Sequence, residues 1–305
     1  MIKLLIGGSP CTYWSIAQKN GRETEAEGMG WELFKNYLIA KEKFKPDFFL
    51  YENNKSAARA IKDQIKQELK VWDGTLFMQD TGSRYIEINS ALVSAQNRQR
   101  FYVHNCGEVE QPEDRGILLK DVLCDDVQPI ILHNLYGGFN ETKPRVFTGK
   151  SPTIRTGCGG GHIPSALLKG RKIPTTLEEA RKNSRQLTVK ECCRLQTMPD
   201  DYCRAVSPSQ GYKGIGNGWT AEVIIHILNN ALKDILRDEE IVVLSMYDGI
   251  GTGRYCLDEM GFTNVKYYAY EKDKYVEEIA MSNYPDIIQM GDAFQLRDPD
   301  WTIGY

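Results

Sequence analysis

Four short stretches carry residue types that could do chemistry. GGSPC at 7–11 sets a cysteine behind a proline at the tip of an apolar run, where a thiol packs poorly but its thiolate is a strong nucleophile at neutral pH. Tyr51-Glu52-Asn53 closes a second apolar run with an acid at the expected carboxyl edge of a sheet; those residues suit equally well a cap for the next helix. QNRQR at 96–100 alternates, which puts Arg98 and Arg100 on one face with Gln96, either as surface decoration or as a clamp for an oxyanion or phosphate. VLSMYDGIGTG at 243–253 is a glycine turn after a strand, a plain turn or one that lets the backbone approach a ligand. Glu271 and Asp292 end the next two apolar runs, where carboxylates could accept ribose hydroxyls and an adenine amino group. No GxxxxGK[ST] loop is present, so the expected ligand is an adenosine compound without a polyphosphate.

Elements to hold these residues are readable around them. Met1–Gly7 reads as a buried parallel strand, Trp31–Lys43 as a helix, Phe48–Tyr51 as a strand and Lys55–Leu69 as a helix. Tyr85–Ile88 and Phe101–Val103 read as further strands. Helices are expected at Thr188–Leu195 and Thr220–Leu236, and the segment from Ile241 onward reads β-loop-α-β-α-β, half of a doubly wound sheet. Between about Gln128 and Arg185 the chain turns rich in Gly, Pro, Thr and basic residues, with GCGGGH at 157–162, and reads as an inserted module.

The 305 residues, 41% of them apolar, suffice for a large core. No apolar run approaches a membrane span, which leads us to expect a soluble, cytoplasmic protein. The eight cysteines form no CxxC pair and no zinc spacing, so reduced and mostly buried thiols are expected, with Cys192 and Cys193 as core residues of a helix. The net charge of −3 divides into +8 over Lys143–Arg185 and −11 elsewhere. A basic segment in an acidic chain is either a solvated loop or a polyanion-binding module.

Taken together, the motifs resemble those of the cytosine-5 DNA methyltransferases over nearly the whole chain. GGSPC is similar to that family's proline-cysteine motif, Tyr51-Glu52-Asn53 to its glutamate-asparagine motif and QNRQR to its Gln-x-Arg-x-Arg motif. SRQLTVKECCRLQTMPDDY at 184–202 resembles the segment beneath the family's recognition domain, YKGIGNGWTAEV at 212–223 its final helix motif, and VLSMYDGIGTG with Glu271 and Asp292 its S-adenosylmethionine half. The GGSPC, DGIGTG and Trp219 variants look closer to the eukaryotic de novo enzymes than to most bacterial ones. The order departs from the family's, because here the cofactor half comes last; this looks like a circular permutation joined through Lys233–Glu240, and it needs Tyr305 close to Met1. Asn54 stands where the family usually has valine.

The resemblance implies a Rossmann-like S-adenosylmethionine-dependent α/β fold with a mixed, mostly parallel sheet. Its catalytic half would occupy 1–127, a small target-recognition domain 128–185, and the rest of the catalytic domain 186–305, with the cofactor at 241–305. Catalytic roles fall to Cys11, Glu52, Asn53, Arg98 and Arg100. S-adenosylmethionine, with no metal, would be held by Pro10, Tyr247, Asp248, Gly249, Gly251, Thr252, Glu271, Asp292, Ala293, Asn217 and Trp219. Double-stranded DNA would meet Arg145, Lys150, Arg155, Thr156, His162, Lys169, Arg171 and Lys172. Thr12–Gly30 would close as a lid over a cytosine turned out of the duplex. The implied protein is a prokaryotic or phage-encoded monomer with no membrane partner, with a cognate restriction endonuclease or with none. Three rival readings stand beside it: an RNA cytosine methyltransferase, an inactive DNA-binding subunit and a methylase of small cytosine nucleotides.

Overall fold

The structure, a computed structural model, describes residues 1–16, 21–72, 74, 80–136, 142–156 and 163–304. Two compact units emerge: Met1–Ile88 with Gln99–Gln111 and Ile224–Tyr305, and Asn89–Arg98 with Pro112–Val223. In chain order the elements are β1 (Ile2–Gly7), α1 (Gly28–Phe44), β2 (Phe48–Asn54), α2 (Arg59–Glu68), β3 (Arg84–Asn89), β4 (Gln99–His104), α3 (Leu119–Val122) and β5 (Val127–His133). They continue with β6 (Arg145–Thr148), β7 (Ser165–Leu168), α4 (Leu177–Asn183), β8 (Ser184–Gln186), α5 (Val189–Leu195), α6 (Pro208–Asn217) and α7 (Ala221–Leu232). The last are β9 (Ile241–Met246), α8 (Thr252–Glu259), β10 (Val265–Tyr270), α9 (Lys274–Asn283) and β11 (Ile288–Gln289).

The first unit holds a seven-stranded sheet of order β11-β10-β9-β1-β2-β4-β3. β1 lies between two parallel neighbours: Ile2 to Gly7 pair with Ile241 to Met246 of β9, and Leu4 to Gly7 pair with Phe48 to Tyr51 of β2. β4 runs antiparallel to β2. The sheet is therefore mixed and mostly parallel. Strands buried on both faces need apolar residues in succession rather than in alternation, and IVVLSM of β9 is buried at every position. One face of the sheet, through Leu5, Phe49, Tyr51, Val242 and Leu244, packs on Trp31, Phe34, Tyr37 and Phe44 of α1 and on Ile61 and Ile65 of α2. On the other face α8 comes in so close that a Cβ on Gly253 would lie 2.2 Å from Cδ1 of Ile6.

Three expectations change at this level. β2 runs on through Glu52, Asn53 and Asn54, which pair with Tyr102, Phe101 and Arg100 of β4. These residues do not cap α2, whose N-cap is Ala58. β4 begins only at Gln99, so the alternation expected across QNRQR stops there. The segment read as an inserted module between about Gln128 and Arg185, in which the sequence marked no strands, holds antiparallel strands in a sheet of order β6-β5-β7-β8.

The second unit is built around buried polar groups. Gln96, fully buried, donates to the Leu195 carbonyl and the Gln196 side chain and accepts from the Ile154 N–H. Gln196 in turn donates to the carbonyls of Ile215 and Gly218 and accepts from Thr220. Satisfied networks of this kind fix one arrangement, because any slip leaves a buried polar group without a partner. Beside it, Thr188 and Glu191 cap α5 reciprocally. Both carboxylate oxygens of Glu191, which is fully buried, accept from Arg185 at 2.8 and 2.9 Å, and the Cys124 N–H adds a third bond.

Burial alone would raise the Glu191 carboxyl, but the Arg185 pair and the N–H groups of Cys124 and Thr188 hold it below its ordinary value. Its stabilisation is therefore complete above the unfolded carboxyl pKa near ~4.3 and is lost as pH falls through the lower folded value. Glu191→Gln strands Arg185 on one side of this pair and is expected to cost about 3 kcal/mol at pH 7. Urea melts at pH 7 and pH 3 check it: the gap between wild type and variant should shrink at the acid end.

Candidate active site

Gly7 and Gly8 decide where the Cys11 segment goes. A Cβ on Gly7 would lie 2.5 Å from the Met246 carbonyl oxygen, and one on Gly8 would lie 2.4 Å from that of Glu52. Real Cβ atoms never come so near, so only glycines let the chain leave β1 pressed between the ends of β9 and β2. Pro10 then caps a short 3-10 turn, Cys11–Tyr13, and the half-buried Cys11 accepts on its carbonyl from the N–H groups of Trp14 and Ser15. Trp14 is fully buried and continues an aromatic series, with ring centroids 6.5 Å to Trp31, 4.8 Å from Trp31 to Phe34 and 5.1 Å from Phe34 to Tyr51. Its indole N–H donates to Glu23, and Arg22 donates to the carbonyls of Trp14 and Ser56. The root of the expected lid is thus pinned on both sides; residues 17–20 of it lie outside the described residues.

Glu52, Asn53 and Arg100 meet at the β2–β4 pair. The Arg100 Nε lies 2.9 Å from a Glu52 carboxylate oxygen, and both side chains are largely buried, at 14% and 12% exposure. Asn53 turns the other way: its amide donates to the Ser9 carbonyl at 3.0 Å and to the Tyr51 hydroxyl at 3.1 Å. The Ser9 hydroxyl completes the set, 2.8 Å from that of Tyr51. Asn53 therefore clamps the Cys11 segment to β2. Ser9 and Tyr51 were not singled out in the sequence, although both lie inside the quoted motifs.

The glycine turn after β9 is held from behind. Asp248 accepts at Oδ1 from the hydroxyls of Ser245 and Tyr267, both at 2.6 Å, while its buried Oδ2 has no hydrogen-bond partner among the described residues. Tyr247 adopts a left-handed φ of 59° and its hydroxyl donates to the Leu33 carbonyl. Gly249, at φ 65°, has open space where a Cβ would stand, whereas Gly251 packs within 3.1 Å of Ala280. Glu271 accepts at Oε2 from the Gly249 N–H and at Oε1 from those of Lys272 and Asp273. Asp292 caps the turn that begins at the buried Ala293 and faces Lys272 at 3.6 Å; Thr252 opens α8, buried. An unsatisfied carboxylate oxygen, an open glycine and two acids at strand ends suit a ligand with ribose, amino and cationic groups. Among the described residues no group of three or more His, Cys, Asp or Glu could hold a metal ion, and no helix is long and apolar enough to cross a membrane.

The remaining candidates belong to the second unit. Arg98 is buried and donates to the carbonyls of Ile154, Gly216 and Gly218, so the two arginines of QNRQR have different neighbours. Asn217 ends α6, exposed, and Trp219 comes two residues later, half-buried. Gly216 lets α6 abut the Arg155–Thr156 backbone, 2.5 Å from where its Cβ would be. Arg155 lies 3.1 Å from the His133 ring, and Lys150 donates to the carbonyls of Ala91 and Ser94. Arg145, Lys169, Arg171 and Lys172 are exposed. His162 and the rest of 157–162 lie outside the described residues.

Burial pushes the Asp248 carboxyl up to about 6 against the bonds from Ser245 and Tyr267 that favour its ionised form. A raised acid favours folding below its unfolded pKa near ~3.9, and that advantage is lost as pH rises through the folded value. Asp248→Asn should remove this component, so thermal melts from pH 4 to 8 should be flatter in the variant; parallel curves would contradict it.

The chain is similar in sequence to known proteins. The C-5 cytosine-specific DNA methylase family matches residues 1–107 and 147–233. The type II methyltransferase M.SsoII of Shigella sonnei is 27% identical over 259 residues, 73% of this chain and 62% of its own. The type II methyltransferase M1.ScrFI of Lactococcus lactis subsp. cremoris is 26% identical over 264 residues, 76% of this chain and 62% of its own. The chain thus spans 62% of the length of each of these two relatives. The solved structure of the Entamoeba histolytica methyltransferase EhMeth covers 76% of this chain and 78% of its own at 13% identity and a TM-score of 0.49. With more than half of its residues matched by the family, the chain belongs to the C-5 cytosine-specific DNA methylases.

Proposed function

We propose that this protein transfers a methyl group from S-adenosylmethionine to carbon 5 of a cytosine turned out of double-stranded DNA, through a covalent cysteine adduct. One observation carries the reading: the GGSPC segment is wedged between the end of β9, which leads into the glycine turn, and Glu52, which is paired with Arg100. A nucleophile, an acid and a ligand turn thereby share one edge of one sheet.

Carbon 5 of cytosine is a weak nucleophile until the ring gains electrons. The Cys11 thiolate adds at carbon 6, and Glu52 holds a proton on ring nitrogen 3, so charge leaves the ring as the bond forms. Arg100 releases part of its pairing with Glu52 to carbonyl oxygen 2 of the base. Asn53 keeps the cysteine segment in place through Ser9 and so acts as a positioning residue. Bound at Asp248, Gly249, Glu271 and Asp292, S-adenosylmethionine supplies the sulfonium methyl that carbon 5 takes up. A water molecule then takes the carbon-5 proton, the C5–H electrons re-form the double bond, the C6–S bond breaks to release Cys11 as thiolate, and the proton on nitrogen 3 returns to Glu52. The base must leave the stack for this, at a cost of a few kcal/mol. Exposed Arg145, Lys169, Arg171 and Lys172, with the rest of the 128–185 domain, supply phosphate contacts that offset it.

Incubation with tritiated S-adenosylmethionine and duplex DNA should label the DNA, and bisulfite sequencing should place the label at cytosines in one sequence context. Labelled RNA with unlabelled DNA would replace this reading by its RNA rival. Cys11→Ser should lower turnover by at least ~10³-fold while S-adenosylmethionine still binds.

We also propose that the chain is a circular permutation of the family's usual order. Supporting this, the family match stops at residue 233, while β9, β10 and β11, beyond that point, form the edge of the same sheet next to β1. A rearranged chain that places residues 241–304 ahead of Met1 should methylate the same sites. An insoluble or inactive product, made beside an active parent, would speak against it.

A further inference from the structure

Asn36 is a fully buried polar residue of α1, and the reaction proposed above makes no use of it. Its side chain has two partners distant in the chain. The Arg297 Nε donates to its Oδ1 at 2.7 Å, and its Nδ2 donates to the Tyr247 hydroxyl at 3.2 Å. This direction is forced, because a guanidinium only donates: the Asn36 oxygen must face Arg297, which leaves the amino group to face Tyr247. The Tyr247 hydroxyl, raised above its ordinary pKa by burial, keeps its proton and gives it to the Leu33 carbonyl at 2.7 Å. A one-way series of hydrogen bonds thus runs from Arg297 through Asn36 and Tyr247 back to α1. Arg297 is held a second time, by the Glu32 carbonyl at 3.0 Å and the Glu32 carboxylate at 2.9 Å.

Both distant partners belong to loops that carry candidate cofactor residues. Tyr247 enters the glycine turn at φ 59°, a left-handed conformation that an aromatic residue keeps only where its surroundings hold it. Asp248 and Gly249 follow directly. Arg297 ends the 3-10 turn Ala293–Arg297, whose start Asp292 caps by accepting from the Phe294 N–H. One buried amide therefore fixes the first residue of the glycine turn and the last residue of the turn behind Asp292.

We propose that Asn36 is a positioning residue for the methyl donor: acting through Tyr247 and Arg297, it ties the glycine turn and the Asp292 turn to α1 and so presets the site that S-adenosylmethionine enters. This rests on the cofactor site proposed above. Without the tie both loops must be ordered when the ligand arrives, and the cost falls on affinity. The chemical step is spared, because the thiol, Glu52 and Arg100 are held by β1, β2 and β4 instead.

The test is calorimetric titration of the full chain with S-adenosylmethionine and with S-adenosylhomocysteine. Asn36→Leu and Tyr247→Phe should each raise the Kd for both compounds roughly 10-fold. The double variant should do no worse than the weaker single one, because either change breaks the same series. In methyl transfer to duplex DNA, the KM for S-adenosylmethionine should rise alike, with kcat at saturation within about twofold of wild type. Asn36→Asp, whose carboxylate can accept from both Arg297 and the Tyr247 hydroxyl, should return the Kd to within about threefold of wild type. If Asn36→Leu does not fold, Tyr247→Phe decides, since it removes one hydroxyl and leaves the ring. Variants that bind as tightly as a binding wild type would overturn the role of Asn36 alone, as would additive losses in the double variant. A wild type that takes up neither compound would overturn the cofactor site, and this role with it.

Discussion

The missing side chains of two glycines govern much of this protein. β1 lies between β9 and β2, and its exit has no room for a Cβ at Gly7 or at Gly8. An added methyl at either place meets main-chain oxygen, which cannot swing aside as a flexible side chain would. The backbone is therefore forced through a slot whose walls are the last residue of β9 and the acid of β2. Beyond the slot, Ser9, Pro10 and Cys11 are fixed by Asn53 and Tyr51 on one side and by the buried Trp14 on the other.

The two units reach rigidity by different means. The first relies on aromatic and aliphatic packing on both faces of a mostly parallel sheet, where close contact excludes alternatives. The second relies on polar groups that satisfy one another, Gln96 with Gln196 and Thr220, Glu191 with Arg185. Such a core contributes less net free energy per contact than apolar burial does, but it tolerates few rearrangements, because each broken bond leaves a charge or dipole in low dielectric.

Much of the first unit was legible in the sequence, since buried parallel strands appear as apolar runs and β1, β2, β9 and β10 are such runs. The acids at their ends could be read from position alone. Less legible was what the polar residues do for each other. Arg98 and Arg100 are two places apart in one motif, yet one is bonded to three backbone carbonyls and the other to Glu52. Periodicity places a side chain on a face and says nothing of its partners. The sheet of the second unit was missed because its strands, interrupted by Pro129 and by runs of basic and small residues, lack a clean alternation. Ser9, Tyr51 and Tyr267 were overlooked because their importance lies in hydroxyls that meet only after folding.

The pairing of Ile2 with Ile241 has a consequence for synthesis on the ribosome. Chains emerge amino end first, so β1 leaves the ribosome well ahead of β9. Until β9 is out, β1 can take up only its β2 partner, and its other edge stays open to whatever strand it meets. The slot that aims the thiol lacks one wall for all of that interval. Assembly of that slot is, in this topology, a late event in the birth of the molecule.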